Sequence, residues 1–260
     1  MQASIDIERL QHTQADIIHR QGSDRQVLEH EGLRWVSIND GPIASVMLLN
    51  EPAYPILEYI KGLLCCLLLM QRPGSLLNLG LGCGAIERFV LSHLPDIALV
   101  SVEIDPQMIE LCREFFYLPA SHPVALDAAE RFLKKNRRQF DIILCDIYLK
   151  RDSETPLQTA SFYQDAAQTL SKGGVLALNL LPSSEAEMVD ILLKIRRVFP
   201  WVVLFDVAAV ENIVLYCSAS PLPNKSILTS RAEDLHQMTG VDLSPICKQF
   251  IWLPERMGRL

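Results

Sequence analysis

The sequence predicts an α/β protein built on a doubly wound, mostly parallel sheet, with a small antiparallel β unit ahead of it. Three observations predict it. Leu76 to Asp105 reads as strand, glycine turn, helix, strand and acid. Strand and helix patterns then alternate from residue 75 to residue 199. Last, Trp201 to Val207 and Ile213 to Cys217 are strand-like runs joined by the short Glu211-Asn212 connection, a hairpin that sets one of them antiparallel to the rest.

Taken in order, residues 1 to 24 are polar and weakly patterned, and no basic start followed by an apolar segment marks a secretory signal. Three short β-like runs follow between Arg25 and Leu49, separated by the turn sequences His30-Glu31-Gly32 and Asn39-Asp40-Gly41. Pro52 opens a helix that is apolar on most sides as far as Leu69, and Arg72-Pro73-Gly74 stops it. Leu76, Leu77 and Leu79 form the first sheet strand, and Ile86, Phe89, Val90 and Leu94 recur at helical spacing after the glycines. Ile97 to Val102 is the second strand. Pro106 starts a helix whose stripe is Met108, Ile109, Leu111, Cys112, Phe115 and Phe116.

His122 to Leu126 is the third strand, closing at Asp127 before a helix from Ala128 to about Arg137. Phe140 to Leu144 is the fourth, finishing at Asp146, and Tyr148 to Thr159 is a polar loop. A helix from Phe162 to Leu170 is capped by Lys172-Gly173-Gly174, and Val175 to Leu180 is the fifth strand. Ser183 and Ser184 with Glu187 form a capping box for a helix reaching Val198. Pro221 and Pro223 mark an edge, beyond which the tail carries one helical pattern, Ile227 to Met238, and an apolar end at Phe250 to Leu253. The expected organisation is an arm, β unit and buried helix over 1–73, the sheet domain over 74–220, and a tail over 221–260.

Composition narrows the function. The chain has 260 residues and a net charge of −7, with 49% hydrophobic and 21% charged residues, too apolar for disorder. Lys134, Lys135, Arg137 and Arg138 read as the solvated end of a helix, so no nucleic-acid partner is expected. Seven cysteines without a C-x-x-C spacing point to reduced thiols and a cytoplasmic setting. Gly62 to Met70, the most apolar run, is too short at nine residues to span a bilayer. His122 has no second ligand at metal spacing, so no metal is expected.

The candidate site lies where strands end. Gly80, Gly82 and Gly84 form a compressed G-x-G-x-G turn that lets a ligand approach the backbone, with the following helix offering free N–H groups. Glu103 stands nineteen positions past Gly84, where a doubly wound fold places the acid that bonds a ribose diol. Together they read as a nucleoside-cofactor site; glycines serving helix-on-strand packing alone are the competing reading. Asp127 accepts from an adenine amino group or acts as an N-cap. Asp146, flanked by Leu144-Cys145 and Ile147, accepts a proton or holds an amine, or else bonds loop amides. Asn179 lies at the end of the fifth strand. Tyr148 and Tyr163 are pocket candidates, with Tyr163 equally at home in the core.

In sequence, LNLGLGCG, VEIDP, LDAAERFL, FDIILCD, FY and LSKGGVLALNL resemble the class I S-adenosylmethionine-dependent methyltransferase fold, and within it the spermidine synthase family, over roughly residues 25 to 218. The resemblance implies a Rossmann-like, seven-stranded sheet with its last strand antiparallel. It implies that Gly80, Gly82, Gly84, Glu103, Asp127 and Ala128 hold S-adenosylmethionine or its decarboxylated form, and that Asp146 is the catalytic aspartate that helps deprotonate the attacking amine.

Four positions depart from the family. Cys83 replaces an aspartate that helps hold the aminopropyl amine. Asp146-Ile147-Tyr148-Leu149 lacks the second acid three positions on. The segment Tyr54-Pro55-Ile56 replaces a tyrosine-histidine-glutamate segment, and Ala44 stands for a glutamine. Because a buried ammonium needs a carboxylate partner, these departures shift the expected reaction to methyl transfer onto a small-molecule acceptor, an amine among the candidates. Aminopropyl transfer with Asp152 or Glu154 supplying the acid, and a non-catalytic binding module, are the alternatives. A homodimer stays open.

Overall fold

The run Leu76-Leu77-Asn78-Leu79 does not alternate apolar with polar because its strand is covered on both faces: Leu76 packs into one core cluster, Leu77 and Leu79 into another. The structure, a computed structural model, describes residues 10, 13–22, 24–38, 43–147, 155–207 and 211–255. It begins with β1 (Asp16–Gln21), β2 (Arg25–His30), β3 (Leu33–Ile38) and β4 (Ile43–Leu48), then α1 (Glu58–Leu64) and α2 (Cys66–Leu69). The sheet domain runs β5 (Ser75–Leu79), α3 (Ala85–His93), β6 (Ala98–Glu103), α4 (Pro106–Phe115), β7 (Val124–Leu126), α5 (Ala129–Lys135) and β8 (Phe140–Cys145). After a short 3₁₀ turn at Pro156–Gln158 come α6 (Ala160–Thr169), β9 (Leu170–Leu180), α7 (Glu185–Arg196), β10 (Trp201–Asp206), β11 (Ile213–Ser218), α8 (Lys225–Thr239), α9 (Ser244–Lys248) and β12 (Ile251–Trp252).

Among the described residues β1 to β4 form a four-stranded antiparallel sheet, and the main sheet has eight strands in the order β12-β10-β11-β9-β8-β5-β6-β7. β5 pairs parallel with both β6 and β8, whereas β11 inserts antiparallel between β9 and β10. The doubly wound α/β sheet and the small N-terminal β unit are therefore as the sequence predicts. One face is covered by α1, α2, α3, α8 and α9, the other by α5, α6 and α7. α4 packs with Val27, Val36 and Met47 of the small sheet and with Leu81 and Cys83, so that sheet is docked directly over the glycine turn. None of the described helices is long and apolar enough to cross a membrane.

Several local readings change. The arm contributes β1, which pairs with β2. Asn39-Asp40-Gly41 lies outside the described residues. Pro52 does not open a helix: Pro55 disfavours helical backbone at Tyr54, and the Pro52 carbonyl instead accepts from Arg88 Nε at 2.7 Å. The helix starts at Glu58 and breaks at Cys65, where the Tyr216 hydroxyl donates to the Gly62 carbonyl at 2.6 Å. Lys172-Gly173-Gly174 is no helix cap but a bulge inside β9: the register with β8 jumps from Phe140↔Leu170 to Ile142↔Val175, and Gly173 takes the left-handed φ of 79°. The sheet has eight strands rather than seven because the tail's Ile251 and Trp252 pair with β10. The tail also holds a second helix, α9.

Candidate active site

Strand order reverses at β5, with β6 on one side and β8 on the other, so a crevice opens at the carboxyl ends of β5 and β8. Gly80 follows the first and Asp146 the second. Asp146 N donates to Leu79 O, pinning β8 to β5, and Gly80 N donates to Val102 O, pinning β5 to β6, both at 2.9 Å. Gly80 has φ 95°, and a Cβ there would stand 2.3 Å from the Asp146 carbonyl oxygen, so only glycine lets the strands converge. Gly82, at φ 52°, has no heavy atom within 4 Å of the corresponding point and faces open space. Gly84 differs: a Cβ would meet Cys112 Sγ at 2.8 Å, which makes it the contact that lets α3 lie close to α4. Arg88 braces the turn from below by donating to the Cys83 carbonyl and, at 3.2 Å, to the Phe116 carbonyl.

Glu103 is tied to the same turn. Its Oε2 accepts from Leu81 N at 3.0 Å and its Oε1 from Asp105 N at 2.9 Å, which uses two of a carboxylate's roughly four acceptor directions and leaves the others. Asp127 N donates to the Glu103 carbonyl at 3.0 Å, extending the rim to the next strand. The Asp127 carboxylate accepts from Ala128 N at 2.9 Å and Arg131 Nε at 2.5 Å. Desolvation pushes its carboxyl up, but these bonds and the charges of Arg131 and Lys135 together hold it below the usual range. The N-cap of α5 is Ala128.

Asp146 sits partly buried at the crevice. Burial pushes its carboxyl above the ordinary carboxylate range, and a hydrogen bond from Asn179 pulls it part of the way back. That bond runs from Asn179 Nδ2 to Asp146 Oδ1 at 2.8 Å, and Asn212 Nδ2 in turn donates to Asn179 Oδ1 at 2.9 Å. Among the described residues no cation lies within ion-pair distance of Asp146.

Two residues that the sequence reading missed share the crevice. Tyr59 of α1 and Ser45 of β4 line it with Gly80, Gly82, Cys83 and Asp146. The Tyr59 phenol is pushed up by burial and then by the charge of Asp146. Cys83 is buried and its thiol is raised to about 12, so it carries no charge at neutral pH. The crevice has a cavity volume of about 20 Å³, room for about one water. Behind the turn a buried network supports α3: Asn78 Nδ2 and Ser101 Oγ donate to Glu87 Oε1 at 2.7 and 2.6 Å, and Ser101 Oγ lies 2.9 Å from His122 Nε2.

The structure thus brings Gly80, Gly82 and Asp146 around one crevice; Glu103 is joined to it through Leu81 N, and Asp127 and Ala128 follow at the next strand end. Tyr163 is elsewhere, fully buried in the core with its hydroxyl donating to Leu157 O at 2.5 Å. Tyr148, Asp152, Glu154 and the side chain of Ala44 lie outside the described residues. Tyr59 was hidden because its helix reads as apolar on most sides.

Residues 59–218 match the family model described as the spermine/spermidine synthase domain. A polyamine aminopropyltransferase of Chromobacterium violaceum is 28% identical over 224 residues, 84% of this chain and 85% of that protein. The crystal structure of a probable spermidine synthase from Corynebacterium glutamicum superposes with a TM-score of 0.72 at 18% identity, covering 91% of this chain and 90% of that one. Human methyltransferase-like protein 13 in complex with SAH superposes with a TM-score of 0.66 at 25% identity, covering 71% and 93%.

Proposed function

The chain belongs to the spermine/spermidine synthase domain family, and from that premise we propose that this transferase moves the aminopropyl group of decarboxylated S-adenosylmethionine to a primary amine. The observation that carries the proposal is the lone Asp146 carboxylate at the strand-order reversal, raised by its burial and facing the glycine turn. The donor set fits a nucleoside: open backbone at Gly82, the free acceptor directions of Glu103 for a ribose diol, and Asp127 with Ala128 on the rim for the base. When bound, the donor supplies an electrophilic carbon beside a sulfonium. Asp146 orients the incoming amine and accepts its proton, a role for which a carboxyl raised toward neutrality is suited. Tyr59 lines the same crevice beside Asp146.

Methyl transfer, the reaction expected from the sequence, is the second reading. One observation favours it: Cys83, an uncharged thiol, stands where the family carries the acid for the aminopropyl amine. The relative matched over most of the chain supports aminopropyl transfer, and that reading takes precedence. Incubation with putrescine and decarboxylated S-adenosylmethionine, read by mass spectrometry, is expected to add an aminopropyl group and release methylthioadenosine. A methylated acceptor formed only with S-adenosylmethionine would replace this reading with the second.

A further inference from the structure

Asn179 and Asn212 sit on neither the donor rim nor the glycine turn, yet they form a two-step chain that ends on the one carboxylate of the crevice. The chain has one self-consistent direction. Turning the Asn179 amide over would set its carbonyl against a carboxylate oxygen and its NH₂ against the NH₂ of Asn212, two repulsive contacts in place of two hydrogen bonds. Asn212 is itself anchored, its carbonyl accepting from Val207 N at 3.1 Å across the end of the β10–β11 hairpin.

We propose that Asn212 and Asn179 are positioning residues: Asn212 fixes the Asn179 amide so that its N–H meets Oδ1 of Asp146, which stabilises the ionised carboxylate and leaves Oδ2 for the acceptor amine. The inference rests on the proposed role of Asp146 as proton acceptor. Without the relay, burial acts unopposed and the carboxyl rises further, because among the described residues the Asn179 hydrogen bond is what favours its charged form. The titratable groups around Asp146 do not substitute for it. Tyr59 from α1, Cys83 from the glycine turn and Cys145 on β8 are all raised by burial and stay neutral. Asp146 follows β8; β9 supplies Asn179, and the turn ahead of β11 supplies Asn212.

The test compares wild type with Asn212→Ala, Asn179→Leu and the conservative Asn212→Gln in two readouts. In pH profiles of kcat/KM for aminopropyl transfer, the acid limb of Asn212→Ala is expected to move upward by roughly half to one pH unit. Activity then falls about threefold to tenfold on the acid side and recovers on the alkaline side. Asn179→Leu shifts further, Asn212→Gln shifts less, and donor affinity holds in all three. A titration of ¹³C-labelled aspartate carboxyls, with Asp146→Asn for assignment, is expected to show the same upward move without any turnover. A loss equal at every pH, together with an unmoved carboxyl titration, would overturn the relay alone. Full activity in Asp146→Asn would overturn the relay and the function it rests on together.

Discussion

Asp146→Asn is expected to abolish turnover while leaving the fold and donor binding in place. The change removes the only side chain of the described crevice able to take a proton from an amine near neutral pH, since Tyr59 and Cys83 are both pushed upward. Losing a positioned general base costs about 10² to 10⁴ in rate. Asparagine has nearly the volume of aspartate and retains an oxygen that can accept the Asn179 hydrogen bond. It also relieves the cost of burying a charge, so thermal stability is expected to hold or rise slightly. Initial rates with saturating donor, paired with a melting curve, check it. A variant within a few-fold of wild type would remove Asp146 from the chemistry.

The second large effect is on folding. Gly80→Ala is expected to destabilise the protein by about 3 kcal/mol or more, because it joins a positive φ to a direct backbone clash. A Cβ at this point would lie 2.3 Å from the Asp146 carbonyl oxygen and 3.4 Å from Ile147 N, neither of which is a flexible side-chain end. The strand ends must part, which moves the Asp146 carboxylate away from the glycine turn. Differential scanning calorimetry is expected to show a melting point roughly 6–12 °C lower, at 2–4 °C per kcal/mol for a chain of this size. Gly82→Ala is the informative partner. Its positive φ is also strained, but nothing lies within 4 Å of the new methyl, so it is expected to cost less stability and to act on the ligand side.

These expectations show which features the sequence carried. Where a local pattern implies a local geometry, it was legible: the leucines of β5, the glycines, Pro106 at the start of α4 and Ser184 with Glu187 at the start of α7 all sit in the elements expected of them. The doubly wound sheet followed from the Leu76 to Asp105 stretch, the strand and helix alternation and the closing hairpin together. What was not legible depends on partners far along the chain. β12 exists because Ile251 and Trp252 meet Leu204 and Val203, and the bulge at Gly173 exists because Phe140 pairs with Leu170 ahead of the regular register. Gly82 and Gly84 look alike in sequence, yet one faces open space and the other accommodates Cys112 on α4.

The site divides in the same way. Asp146 could be singled out as a charged residue closing an apolar strand, and Glu103 by its distance from the glycines. Tyr59 and Ser45 reach the crevice from α1 and from the small sheet, which no spacing rule connects to β5. Asn212 required knowing that β11 inserts beside β9, bringing the hairpin turn to the end of Asn179's strand. The expectation of methyl over aminopropyl transfer came from departures at Cys83, at the run after Asp146, at Tyr54-Pro55-Ile56 and at Ala44. The relative matched over most of the chain favours the alternative.

We propose that Glu103 and the open glycine turn grip an adenosyl donor beside Asp146. Isothermal titration calorimetry of decarboxylated S-adenosylmethionine into wild type and Glu103→Ala tests it most directly. Saturable one-site binding by the wild type, weakened at least about tenfold in the variant while its melting curve stays cooperative, is the expected result, tenfold being about 1.4 kcal/mol. Absence of binding by the wild type, or equal affinity in the two proteins, would contradict it.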